Sequence, residues 1–145
     1  MTTTDPTTVP GGAPTDRATL LPRLVCDDAV AAIAFYERAL AAEVVERHDG
    51  PDGAVHHAVL TVDGTPVAVK SADEVDPSPA SLGGTPVVLL LEVEDVDAWA
   101  GRFTAAGGVV VFAVDDRHEY GRRDGRFRDP AGHCWMFSAP LAGGS

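Results

Sequence analysis

Two segments of this chain repeat one order of features at a fixed offset. Residues 20–26 (LLPRLVC) are a short apolar run, and Asp27-Asp28 then precede AVAAIAFYERALAA, where Val30, Ile33, Ala34, Leu40 and Ala41 recur at helical spacing. Residues 86–93 (PVVLLLEV) are a second such run, and Asp95 precedes VDAWAGRFTAA, where Val96, Trp99, Ala100 and Phe103 share a helical face. Asp28 and Asp95 lie 67 positions apart, and each can accept from the free N–H groups of a first helical turn. Gly107-Gly108 closes the second helix. Three strand-like runs follow each helix: 43–48, 54–62 and 65–71 in the first half, then 109–114, a stretch near 125–129, and 133–138 in the second. Asp63-Gly64 is a tight-hairpin dipeptide. The repeat predicts an α+β fold of two tandem βαβββ units, over 20–71 and 85–138, joined by a polar linker over 72–84 that contains Pro and Gly.

A chain of 145 residues with 45% apolar content suits one compact domain, placed at 19–140. Residues 1–18, rich in Thr, Pro and Gly, read as a flexible tail, and residues 141–145 as a second one. A net charge of −11 disfavours nucleic acid and anionic membrane surfaces and favours neutral or cationic ligands. No apolar run approaches the ~20 residues of a membrane helix. The start lacks the basic and apolar regions of an export signal, and Cys26 and Cys134 form no C-x-x-C pair. The expectation is a cytoplasmic protein with two free thiols.

Residues 120–135, YGRRDGRFRDPAGHCW, carry the densest set of polar side chains. Asp129-Pro130-Ala131-Gly132 reads as a turn between a strand bearing Phe127 and one bearing Trp135 and Phe137. His133 and Cys134 are adjacent on a strand, so they point to opposite faces and cannot chelate one ion; the same holds for His56-His57. Arg122 and Arg123 are expected in a solvated loop, Arg128 is expected to brace the turn, and Arg126 is the arginine expected to touch a ligand.

The motif A-I-x-F-Y on the first helix, the paired βαβββ layout and G-R-F-x-D-P-x-G-H-x-W near the end resemble the vicinal oxygen chelate superfamily, in its glyoxalase/bleomycin-resistance branch. The likeness covers residues 20–138. It implies a curved sheet with a concave cavity, and two-fold homodimers with cavities near the interface. Enzymes of the family place metal ligands at four positions. In this chain those positions fall on Leu21, within Val67-Ala68-Val69, on Val88 and on Met136. Three aliphatic side chains and a thioether supply none of the roughly three N or O donors a catalytic divalent metal needs. No metal and no cofactor are therefore expected.

Strand alternation sorts the remaining side chains. Trp135 and Phe137, Val87, Leu89, Leu91 and Val93, Leu20, Leu24 and Cys26, and Ala58, Leu60 and Val62 are assigned to the helix-packed core. The cavity set is Arg23, Val25, His57, Val59, Val88, Leu90, Glu92, Tyr120, Arg126, Cys134 and Met136. A mostly apolar lining with few polar points fits a small organic ligand, although Arg23 and Glu92 could equally form a plain salt bridge. Two functions follow. One is a metal-free binding protein that encloses a small molecule, as the bleomycin-resistance branch sequesters drugs. The other is a metal-independent isomerase-like or lyase-like enzyme with His57 and Glu92 as acid and base.

Overall fold

The structure, a computed structural model, describes residues 16–141. The expected tails fall almost entirely outside this range. The elements run β1 (Arg23–Cys26), α1 (Ala29–Leu40), β2 (Glu43–Asp49), β3 (Val55–Val62), β4 (Thr65–Ser71), α2 (Pro79–Leu82), β5 (Val88–Glu92), α3 (Val96–Ala105), β6 (Val109–Arg117), β7 (Arg122–Arg128) and β8 (Cys134–Pro140). They form two curved four-stranded sheets of the same topology, β1-β4-β3-β2 and β5-β8-β7-β6. In each, the first strand lies parallel to the last, a pairing that a helical crossover makes possible.

The repeat seen in the sequence is a repeat of conformation. Asp28 (φ −119°, ψ 84°) and Asp95 (φ −118°, ψ 87°) cap α1 and α3 with the same geometry. The Asp28 carboxylate accepts from the Ala31 amide at 3.0 Å, and the Asp95 carboxylate from Ala98 at 3.0 Å. Asp63 (φ 48°) and Gly64 (φ 81°) both adopt positive φ between β3 and β4, the conformation their dipeptide favours.

The helix faces are partly those expected. α3 buries Val96, Ala100 and Phe103. α1 is rotated from the sequence-based face: it buries Ala29, Ala32, Ile33, Phe35, Tyr36, Ala39 and Leu40, while Val30 is exposed and Ala41 forms the left-handed cap. Phe35 and Tyr36 remove the most apolar area from water, and their position sets the rotation. Phe103 is the meeting point of the halves. Its ring lies 5.1 Å from Phe35 of α1 in an edge-on contact, and 5.5 Å from Phe137 of β8. One continuous cluster thus receives the helix-side faces of both sheets.

Three boundaries differ from expectation. β1 starts at Arg23, after Pro22, so Leu20 precedes the ladder and is 94% exposed rather than core. Val87 lies before β5 and is likewise exposed. The linker is not wholly irregular: α2 is a single turn capped by the buried Ser78, with Pro79 in its first turn. Ahead of it, the buried Lys70 of β4 pairs with Asp73 at 2.9 Å and with Asp76, which fixes the linker against its own unit. The Lys70 ammonium holds the Asp73 carboxyl down at about 2.

Candidate functional site

The face of each sheet turned away from the core is where free side chains gather. On the second sheet the register sets Val88 beside Cys134, and Leu90 beside Met136, Arg126 and Phe112. Leu90 and Phe112 are each 56% exposed. The Arg126 guanidinium stands 5.4 Å from the Phe112 ring centre, within cation–π range. One rung on, Glu92, Ser138 and Asp124 adjoin. Arg122 donates through Nε to the buried Ser138 hydroxyl at 3.0 Å and pairs with Glu92. Asp124, also buried, accepts from Arg117 Nε at 3.0 Å and from the Tyr120 hydroxyl at 2.9 Å. That bond to Asp124 raises the Tyr120 hydroxyl above its ordinary range.

On the first sheet, Arg23, Ala68, Val59 and Glu46 form one rung. Val25 adjoins Lys70, and His57 adjoins His48. The two imidazoles stack with centroids 6.5 Å apart, and His48 Nε2 lies 3.0 Å from a Glu46 carboxylate oxygen.

The sequence-derived set is therefore divided. Val88, Leu90, Glu92, Arg126, Cys134 and Met136 share the second sheet, while Arg23, Val25, His57 and Val59 share the first. The cavity lined by Arg23 and Val25 and the one lined by Glu92 each draw on the open face of one sheet only. Tyr120 sits at the β6–β7 turn, tied to Asp124. The salt bridge considered between Arg23 and Glu92 does not form: Arg122 takes Glu92, and Arg23 donates to the His56 carbonyl at 3.3 Å.

Arg122 and Arg123 are not loop residues. They open β7, and Arg123 is clamped by Asp97 and Asp116 at 2.9 and 2.8 Å. Sequence reasoning missed Arg122 and Phe112 as members of the open face. Alternation from Arg126 back through Asp124 would have found Arg122. Phe112 lies beside a register shift in β6, which period-two counting cannot follow.

The donor chemistry does not fit a hard divalent metal. Val88 and Met136 present an aliphatic group and a thioether, and at the remaining family positions stand Leu21 and the run Val67-Ala68-Val69. Among the described residues no group of three His, Cys, Asp or Glu side chains could hold a metal ion. Cys26 offers no thiolate either, since burial and then the Asp129 charge push its thiol up to about 12. No helix of the described residues is long and apolar enough to cross a membrane.

A cavity of about 310 Å³ lies between β1 and β5, roofed by α2. His133 bridges the two units here: its ring Nε2 donates to the Val25 carbonyl at 2.8 Å.

Comparison with known proteins agrees with this architecture. The family model described as Glyoxalase/Bleomycin resistance protein/Dioxygenase superfamily matches residues 17–137. Protein Mb0911c of Mycobacterium bovis is 43% identical over 129 residues, covering 84% of this chain and 83% of its own. Protein Rv0887c of Mycobacterium tuberculosis is also 43% identical, over 84% of this chain and 74% of its own. TioX from Micromonospora superposes with a TM-score of 0.68 at 28% identity, over 86% of this chain and all of TioX (100%). The fosfomycin resistance protein FosX of Listeria monocytogenes superposes at 0.66 with 16% identity, over 88% of this chain and 96% of FosX, a likeness of fold alone. With the matched residues spanning both βαβββ units, this chain belongs to the glyoxalase/bleomycin resistance protein/dioxygenase superfamily.

Proposed function

We propose that this protein binds a small organic molecule on the open sheet faces without a metal, and that a second copy completes the site. The carrying observation is the run of neighbours Val88, Cys134, Leu90 and Met136 on β5 and β8. Where related enzymes carry ligands, these strands offer apolar area, and Met136 adapts to varied shapes. Arg126 and Arg122–Glu92 stand beside that area as orienting polar points. The net charge of −11 favours a neutral or basic ligand. Sequestration of a drug-like molecule, as in antibiotic resistance, is the biological role this reading supports. The isomerase-like alternative has less behind it: Glu92 is engaged by Arg122, and His57 belongs to the other sheet.

The test is calorimetric titration of basic glycopeptide antibiotics and planar aromatic metabolites into wild type and Met136→Arg, with elemental analysis of tag-free protein. Binding should weaken at least tenfold in the variant, and EDTA should leave wild-type binding unchanged. A stoichiometric divalent metal whose removal abolishes binding overturns the proposal, as does a variant that binds as tightly as wild type.

A further inference from the structure

We infer that the cavity at the seam between the two units is a second binding site, selective for a small apolar molecule bearing a carboxylate. The first observation is its lining. In a chain with 22 Asp and Glu residues, none of the cavity's lining residues is acidic, and its ionisable groups are Arg23 and His133 alone. The rest is apolar or uncharged, with four prolines, Leu82, Val87 and Leu89 among it. At about 310 Å³ the cavity falls at the lower end of the volumes that hold small molecules.

The second observation is that, among the described residues, Arg23 has no acidic partner. Arg38, Arg102, Arg126 and Arg128 likewise join no ion pair, but of these five Arg23 alone lines the cavity, and its side chain makes one long bond, to the His56 carbonyl. A guanidinium with open donor positions beside an apolar pocket matches a carboxylate head on an apolar body.

The third observation comes from the backbone. β1 and β5 are the outer strands of their sheets. Along β1 the ladder to β4 uses the even-numbered residues, with the Ala68 amide donating to Pro22 O and the Ala72 amide to Cys26 O, both at 2.9 Å. Arg23 and Val25 therefore turn their N–H and C=O groups outward along the cavity side. The Val25 carbonyl is already matched by His133. What remains on that edge are the amides of Arg23 and Val25 and the Arg23 carbonyl, two donors against one acceptor, a balance that still leans toward an anion. The trend opposes the protein's overall charge, so steering toward the site is weak and selectivity rests on these local donors.

The occupant's chemistry is tested on the full chain with three probes of equal length, octanoate, octan-1-ol and octylammonium. Calorimetry gives affinity, and amide chemical shifts of labelled protein give location. Octanoate is expected to bind at least tenfold more tightly than either other probe, with shifts at Leu24, Val25, Gly84, Val87 and Leu89. Arg23→Gln should remove that preference while leaving octan-1-ol binding unchanged, and Arg23→Lys should keep it. Val87→Trp, a change at an exposed position of the wall, should block all three probes without moving the unfolding midpoint. Octylammonium binding as well as octanoate, shifts centred on Leu90, Arg126 and Met136, unchanged octanoate affinity in Arg23→Gln, or no binding of any probe would each overturn the inference.

Discussion

The carboxylate of Asp129, only 3% exposed, accepts four hydrogen bonds. The Tyr36 hydroxyl of α1 donates at 2.5 Å, Trp135 Nε1 at 2.9 Å, and the backbone amides of Ala131 and His133 at 2.9 and 3.0 Å. One bond crosses between the units and the others fix the β7–β8 turn. Asp129→Ala should lower the unfolding free energy by about 3–5 kcal/mol in urea titrations, since it orphans buried donors. Tyr36→Phe removes one charge-assisted bond and should cost about 1–3 kcal/mol. The same pocket gives an alkaline limit. Burial, then the Asp129 charge, raise the Tyr36 hydroxyl well above its ordinary range, and the same two causes push the Cys26 thiol from 9.0 up to about 12. The folded chain therefore holds these protons more tightly than the unfolded chain. Stability is full below pH 9 and falls as pH climbs from 9 toward 12. Denaturant midpoints measured across that window should decline, and the decline should be shallower in Cys26→Ala. The turn around Asp129 was legible from Asp-Pro-Ala-Gly, but its partner Tyr36 was not, because it comes from an element 93 residues away.

At the scale of elements, tight contacts at glycine decide where a strand can begin. A Cβ on Gly108 would lie 2.2 Å from the Phe103 ring and 2.9 Å from the Phe103 carbonyl oxygen. Phe103 is fully buried, so neither group can yield without disturbing the central cluster. Gly108→Ala should destabilise by about 1–3 kcal/mol, read as a lower thermal midpoint with a smaller near-ultraviolet aromatic signal. Apart from α2, strands, helices and caps were legible in order and type, because Asp caps, Asp-Gly and alternation are local signals. The rotation of α1 was not. A helix in which Ala is the commonest residue offers little contrast between faces, and the choice falls to two aromatic side chains whose partners lie in the other unit. The strand character of Arg122 and Arg123 was legible only by carrying the alternation of Arg126 and Asp124 backward, since consecutive arginines read as a loop until Asp97, Asp116 and Glu92 are placed around them.

For the whole molecule, the unresolved demand is the open face of the second sheet. Leu90, Val109 and Phe112 are each at least 50% exposed, and such a group of large apolar side chains marks an interaction surface. The edge strands β2 and β6 add unpaired backbone. A homodimer is the expected state, and light scattering at micromolar concentration should give twice 15.1 kDa. Phe112→Glu should shift the mass toward the monomer while leaving circular dichroism unchanged. Which side chains share a face of one sheet was legible, but not where the two faces lie, because alternation sorts faces within a sheet and says nothing of how two sheets stand to each other. The shared core around Phe103 carries a further consequence. Covalent continuity between the units is supplied by the linker alone, whereas their cohesion comes from Phe35 on Phe103, Tyr36 on Asp129 and His133 on Val25. A peptide bond cut at Gly83-Gly84 would leave two fragments held together by buried surface, and the linker becomes a natural break point for split-reporter assembly or for circular permutation of the chain.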